Sequence, residues 1–155
     1  MKSSKEINEL SADLAAMQSE LENPDRNKNV EYTTDKGNKF THDYTTLDHL
    51  YDHVRPLLQK HGFSIVQGGD EGGTMVTRLI HDTGQWIETR TPIIIPEKSP
   101  QELGKAIKYA RRYGLAAILG VASESDGGHR QKSGAGGGKS KGTRGGDSGD
   151  FDHSK

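Results

Sequence analysis

Residues 63–91 read FSIVQGGDEGGTMVTRLIHDTGQWIETRT, and this stretch decides the fold. Phe63–Gln67, Thr74–His81 and Gln85–Thr91 are rich in branched and aromatic side chains, as strands are. The glycine-rich GGDEGG and the triplet Asp82, Thr83, Gly84 are the turns between them. The expected product is a small antiparallel sheet. Alternation along the third run places Trp86, Glu88 and Arg90 on one face and Ile87 on the other. Just beyond it, Ile93, Ile94 and Ile95 lie between Pro92 and Pro96, and read as a buried edge or a strand end.

On either side of this sheet the periodicity changes to that of helices. Upstream, Thr45 and Asp48 open a helix whose Leu47, Leu50, Tyr51, Val54, Leu57 and Leu58 share one face, with Gly62 as its stop. Before it, Val30 to Tyr44 reads as a hairpin turning at Asp35, Lys36 and Gly37. A polar link, Glu22 to Asn29, joins that hairpin to a first helix. This helix begins at the capping box Ser3-x-x-Glu6, and Ile7, Leu10, Leu14, Met17 and Leu21 form a narrow apolar seam. Such a seam suits packing on its own domain or against a neighbouring subunit.

Downstream, residues 99–120 read SPQELGKAIKYARRYGLAAILG. Ser99 is the cap, Pro100 occupies the first turn, Glu102 completes the box and Gly120 ends the helix. A helical wheel gathers Leu103, Ala106, Ile107, Ala110, Tyr113, Gly114 and Ala117 on one face. Lys105, Lys108 and Arg112 fall opposite, with Arg111 near the border and Tyr109 on the polar border. Leu115 and Leu119 fall on the Lys108 side, so the last turns need burial on a second flank, which an adjacent protomer could supply.

The whole is an α+β chain, a small antiparallel sheet and hairpin packed on helices. It divides into an N-terminal helix and linker (1–29), a compact domain (30–126) and a tail (127–155). The tail holds 10 glycines, 6 basic and 3 acidic side chains and a single aromatic, so disorder is expected. The 155 residues carry a net charge of -1, but residues 1–126 alone sum to -4. A nucleic-acid role must therefore rest on a local basic patch. The sequence has no cysteine, which excludes disulfides, thiolate metal sites and a cysteine nucleophile. No apolar run approaches the roughly 18 residues of a membrane span, and the start lacks a signal-peptide core. No membrane association and a cytoplasmic location are expected.

No catalytic constellation stands out. His49 and His53, in His-Leu-Tyr-Asp-His, superficially match a zinc-peptidase pattern, but no third ligand is suggested. The tail's GAGGGKS has Ser133 where a phosphate-binding loop needs its first glycine, and it lacks the flanking strand and helix. What remains is the run Lys105, Lys108, Tyr109, Arg111, Arg112, Tyr113. Cations neutralise phosphates and aromatic rings stack on bases, a combination suited to single strands, although a solvated basic face would read the same way. Arg78 and Arg90, with His81 and Trp86, could extend the patch from the strands.

From about Tyr44 to Asp126 the chain resembles the ERF family, phage and prophage essential-recombination-function proteins that bind and anneal single-stranded DNA. Three blocks carry the resemblance: Tyr44, Thr46 and Leu47 into Val54–Leu57 and Lys60–Gly62; Thr77–Leu79, His81 and Gly84–Trp86; and Gln101, Gly104, Ala106, Ile107, the YARRY of Tyr109–Tyr113, Leu115 and Leu119–Val121. The resemblance implies a non-enzymatic, ATP-independent annealing protein that works as a ring or filament of identical subunits and demands no metal or cofactor. It further implies a phage-infected or prophage-bearing bacterial cell. It offers Arg111 and Arg112 as contacts to DNA or to the next subunit; Lys105, Lys108 and Tyr109 join them from the wheel. Relatives often carry an acidic run after the helix, where this chain has only Glu124 and Asp126 among Ser123 to Asp126. The tail is open to three readings: loose attraction to DNA, a solubilising appendage, or a segment tipped by Asp150, Phe151 and Asp152 similar to tails that bind replication partners such as a host single-strand-binding protein. A passive single-strand binder, a metal-dependent hydrolase using His49 and His53 and a purely structural oligomer are the competing functions.

Overall fold

The computed structural model describes residues 1–97 and 99–124, so the expected tail at 127–155 lies outside the described residues. The elements are β1 (Lys2–Ser3), α1 (Asn8–Glu20), β2 (Lys28–Thr33), β3 (Lys39–Tyr44), α2 (Leu47–Lys60), β4 (Phe63–Gly69), β5 (Thr74–His81), β6 (Trp86–Pro92) and α3 (Pro100–Leu119). Strands β4, β5 and β6 form the expected meander, and β1 adds to its far edge, giving the order β1-β6-β5-β4, antiparallel throughout. Strands β2 and β3 make a separate two-stranded ribbon. The fold is α+β, as the sequence predicts.

Glycines at positive φ place the turns: Gly37 closes the β2–β3 ribbon and Gly84 the β5–β6 turn. One face of the sheet, with Phe63, Met75, Leu79 and Ile87 buried, receives the helices. Leu50, Val54 and Leu58 of α2 join Leu115, Ile118 and Leu119 of α3 in the same core. So do Leu10 and Met17 of α1, each only 1% exposed, so the seam of α1 lies on its own domain. Helix α3 crosses the sheet at Gly114, where a Cβ would sit 2.3 Å from the Thr77 hydroxyl. Only glycine permits that approach.

Several expectations are corrected. The capping box at Ser3 does not form: Ser3 pairs with Ile87 in the sheet, and α1 starts at Asn8 with no side-chain cap. The backbone of Ser3 gains a strand partner at the open edge of β6, which outweighs one capping bond. Helix α2 begins at Leu47 rather than Thr45, because Thr45 is fully buried and its N–H and hydroxyl donate to the carbonyls of Ser123 and Asp25. Of the two readings of the isoleucine run, the strand end holds, since β6 stops at Pro92, and the buried edge does not: Ile94 is 75% exposed and Ile95 41%.

The wheel of α3 needs the largest correction. Leu103, Tyr113 and Ala117, expected inside, are exposed, whereas Arg112, expected outside, is 6% exposed. After Gly120 the chain turns back along the helix, where Glu124 bridges Tyr44, and the Ala122 N–H donates to Asn23 Oδ1 at 2.7 Å. That returning segment covers the flank on which Arg112 lies. Leu115 and Leu119 are likewise buried within this one chain, by core residues of α1 and α2, rather than by an adjacent protomer.

Candidate nucleic-acid interface

A cavity of about 530 Å³ opens between the base of the β2–β3 ribbon, the first turn of α2 and the middle of α3. Tyr44 enters from β3, Thr46, Leu47 and Asp48 from the start of α2, and Lys105, Lys108, Tyr109, Arg111 and Arg112 from α3. Five residues singled out in the sequence thus share one wall. The reason is helical: positions 105, 108, 109 and 112 recur at three- and four-residue spacing and stack along one stripe.

The cations on this wall differ in how far they are already engaged. Lys105 donates to Glu102 at 2.6 Å, and that bond holds its ammonium above the usual lysine range. Lys108 is exposed and makes no ion pair among the described residues. Arg111 is half-buried and anchored at one nitrogen: its Nε donates to Gln67 Oε1 at 3.1 Å, and its carbonyl accepts from Gln67 Nε2 at 2.8 Å. The same amide accepts from the Tyr51 hydroxyl at 2.8 Å, so strand β4 and helix α2 both fix the bend of this arginine. Asp48 supplies the one carboxylate of the wall. Its pKa is lowered, first by the Thr46 hydroxyl and then by the His49 N–H, so its charge is engaged with the first turn of its own helix.

Arg112 has different surroundings. Its guanidinium lies 4.4 Å from the ring centroid of Tyr44, 4.8 Å from Tyr109 and 5.3 Å from Tyr113. Nη2 donates to Glu124 Oε1 at 2.6 Å. Glu124 Oε2 faces His42 Nε2 at 3.5 Å, and Tyr113, stacked on Tyr109, hydrogen-bonds to Glu124. Burial first, and then that carboxylate, push the Tyr113 phenol above its ordinary pKa. An arginine enclosed by three rings and a carboxylate acts as a clasp between α3, β3 and the chain that follows α3.

The strand arginines are not brought to this wall. Arg78 lies on the opposite face of the sheet, stacked 4.0 Å over Trp86, with Nη2 donating to Glu88 at 2.7 Å. Arg90 shares that face and pairs with Asp70. Alternation correctly put Trp86, Glu88 and Arg90 together, but His81 points into the core and is 4% exposed. The two helix histidines are half-buried, and the imidazole Nε2 of His53 lies 2.8 Å from the Glu22 carbonyl. That nitrogen must carry a proton to bond a carbonyl, which leaves it no lone pair for a metal. No group of three or more metal-ligating side chains is present among the described residues.

Sequence reasoning missed Thr46 and Asp48 as wall residues, the Gln67 support and the clasp role of Glu124. Gln67 was legible as an inward-facing position of β4 by alternation with Phe63 and Ile65. Glu124 sits in the run compared with acidic relatives, but its reach to Arg112 depends on the chain's return after Gly120, which no local pattern signals.

No curated protein and no solved structure matches this chain. The model of the ERF superfamily matches residues 10–144, which include both the cavity wall and the clasp. The chain belongs to the ERF superfamily.

Proposed function

We propose that this protein binds single-stranded DNA in the cleft between the base of the β2–β3 ribbon and α3, and anneals complementary strands without nucleotide hydrolysis, acting as a homo-oligomer in phage-type recombination. Membership of the superfamily supports a recombination role. The observation that carries the DNA reading is the convergence of Lys105, Lys108 and Arg111 with the half-exposed ring of Tyr109 on one cavity. Three cations suit three phosphates, and the ring offers a stacking surface indifferent to base identity. Bond making is not required of any residue. The cleft would hold one strand by its backbone and leave base edges open to a complement.

A single protomer is a weak binder on this account, since neutralising about three phosphates gives a salt slope near -2 at about -0.7 per phosphate. Side-by-side copies multiply the contacts along one strand. Arg112 supports the cleft from behind by clasping Tyr44 and Tyr109, while Arg78 and Arg90, on the far side of the sheet, would meet phosphate only by giving up Glu88 and Asp70. The tail's Asp150, Phe151 and Asp152 suit a host single-strand-binding protein, and deleting residues 127–155 should then slow annealing only on strands coated by that protein. The direct test mixes complementary dye-labelled oligonucleotides with the protein and no ATP. Pairing faster than the spontaneous rate is expected; coating without acceleration would reduce the protein to a passive binder, and no binding at low salt would overturn the reading.

A further inference from the structure

We infer that copies of this chain join by strand addition, the β2 edge of one copy pairing antiparallel with the β4 edge of the next. The sheet order leaves β4 as an outer strand, and its sequence FSIVQGG contains no charged residue and no proline. It pairs with β5 in unbroken register over seven residues, with no bulge to turn the edge away. Long, flat, uncharged edges of this kind normally carry some protective device. At the opposite edge β1 pairs with Ile87 and Glu88 of β6.

The β2–β3 ribbon has the complementary deficiency. All six residues of β2 are exposed, and the ribbon joins no larger sheet among the described residues. A two-stranded ribbon alone is marginally stable in water. Its strands run six residues, close to the seven of β4. One of its faces carries Val30, 41% exposed, and Tyr32, 43% exposed and stacked on Phe40, beside Lys28 and His42.

The facing side chains and one charged contact set an approximate register. With the strands antiparallel and Tyr32 beside Ile65, Lys28 reaches the acidic turn of Asp70 and Glu71. At the other end the ribbon's turn, with Asp35 and Lys36, comes beside Lys60 and His61, whose charges Glu20 already engages. In the antiparallel register Val30 and Tyr32 fall on the helix side of β4, against a groove of about 340 Å³ formed by Tyr51, Arg55 and Leu58 of α2 with Phe63 and Ile65. Val30 and Tyr32 there meet the rings and aliphatic side chains of a groove that Gln59 and Ser64 also line, and an exposed tyrosine comes within reach of Arg55. A strand offered on one side and an edge on the other make a head-to-tail contact, which propagates into a ring or filament.

The inference rests on the self-association proposed above, but not on DNA binding. The absence of native cysteine gives a clean background for cross-linking. In this register Glu31 lies opposite Val66, so the full-length double variant Glu31→Cys/Val66→Cys, oxidised in solution, should give a covalent ladder of three or more chains on a denaturing gel. Each single variant should stay one chain long. Asn29→Cys or Thr33→Cys combined with Val66→Cys covers a slip of two residues either way. Val66→Lys, which adds a charge beside the edge at a position 56% exposed, should lower the solution mass to that of one 16.9 kDa chain while the far-UV circular dichroism stays that of the folded wild type. Dimers from Glu31→Cys alone would mean β2–β2 pairing, and dimers from Val66→Cys alone β4–β4 pairing. Either result, the lack of any ladder, or a wild-type chain that is monomeric would overturn the inference. A chain that anneals DNA yet gives no ladder sinks this contact alone.

Discussion

The two halves of α3 carry the same kinds of residue into opposite surroundings. Between Pro100 and Tyr109 the helix shows Leu103, Lys105, Lys108 and Tyr109 to solvent and buries only Ala106. From Ala110 onward it buries Ala110, Arg112, Gly114, Leu115, Ala116, Ile118 and Leu119. The neighbours Arg111 and Arg112 straddle the change. One faces the cleft with its backbone carbonyl and Nε held by Gln67; the other is enclosed by three tyrosines and Glu124. An arginine pair in sequence thus has two surroundings, one open to the cleft and one enclosed behind its wall.

If that contrast is correct, substitutions on the two sides separate stability from binding. The largest loss of stability is expected from Arg112→Leu. Its side chain is 7% exposed, and replacing it removes the cation from between three rings and leaves Glu124, 23% exposed, with only His42 and the Tyr113 hydroxyl as partners, a change worth about 2–3 kcal/mol. Thermal or urea unfolding measures it, and a loss below about 1 kcal/mol would show that the clasp is ornamental. Next comes Gly114→Ala, where the Cβ would meet the Thr77 hydroxyl at 2.3 Å. Overpacking of this kind costs about 1–3 kcal/mol, and the companion change Thr77→Ala should recover part of it.

A smaller effect lies at α1. Lys60 and His61 donate to Glu20 and lower its carboxyl pKa below the ordinary 4.5. A group depressed in the folded state stabilises above its unfolded pKa, and loses that contribution as pH falls through the folded value. Acidification below about pH 4.5 should thus loosen the C-terminal end of α1 ahead of the sheet. Amide exchange in α1 reads this out; Glu20→Gln should show the faster exchange already at neutral pH and little further change on acidification. The smallest stability effect belongs to Lys105→Glu/Lys108→Glu, because both side chains are exposed; the unfolding midpoint should move by no more than about 0.5 kcal/mol equivalent.

Much of the fold is legible in the sequence because its signals are local. The meander follows from alternation and from glycine turns at Gly73 and Gly84, and α3 from the Ser99 cap, whose side chain accepts from the Glu102 N–H. The ERF resemblance rests on the same local blocks. The failures share a cause in tertiary contact. Ser3 exchanges a cap for a sheet edge 84 positions away at Ile87, and Arg112 is buried by a segment that turns back beyond the helix. The cavity wall was half readable: the spacing of Lys105, Lys108 and Tyr109 gave one side, whereas Thr46 and Asp48 reach it only through the packing of α2 on α3. A wheel orders residues around an axis but does not say how many flanks will be covered.

The central claim is that Lys105, Lys108 and Arg111 hold a single strand by its phosphates. It is tested most directly by the salt dependence of binding to a labelled oligo-dT, comparing the wild-type protein with Lys105→Glu/Lys108→Glu. The account predicts weaker binding for the variant, by tenfold or more at low salt, and a log–log salt slope shallower by about 1.4 per protomer, from about 0.7 for each of two phosphate contacts. Equal affinity and an equal slope for a folded variant would contradict it.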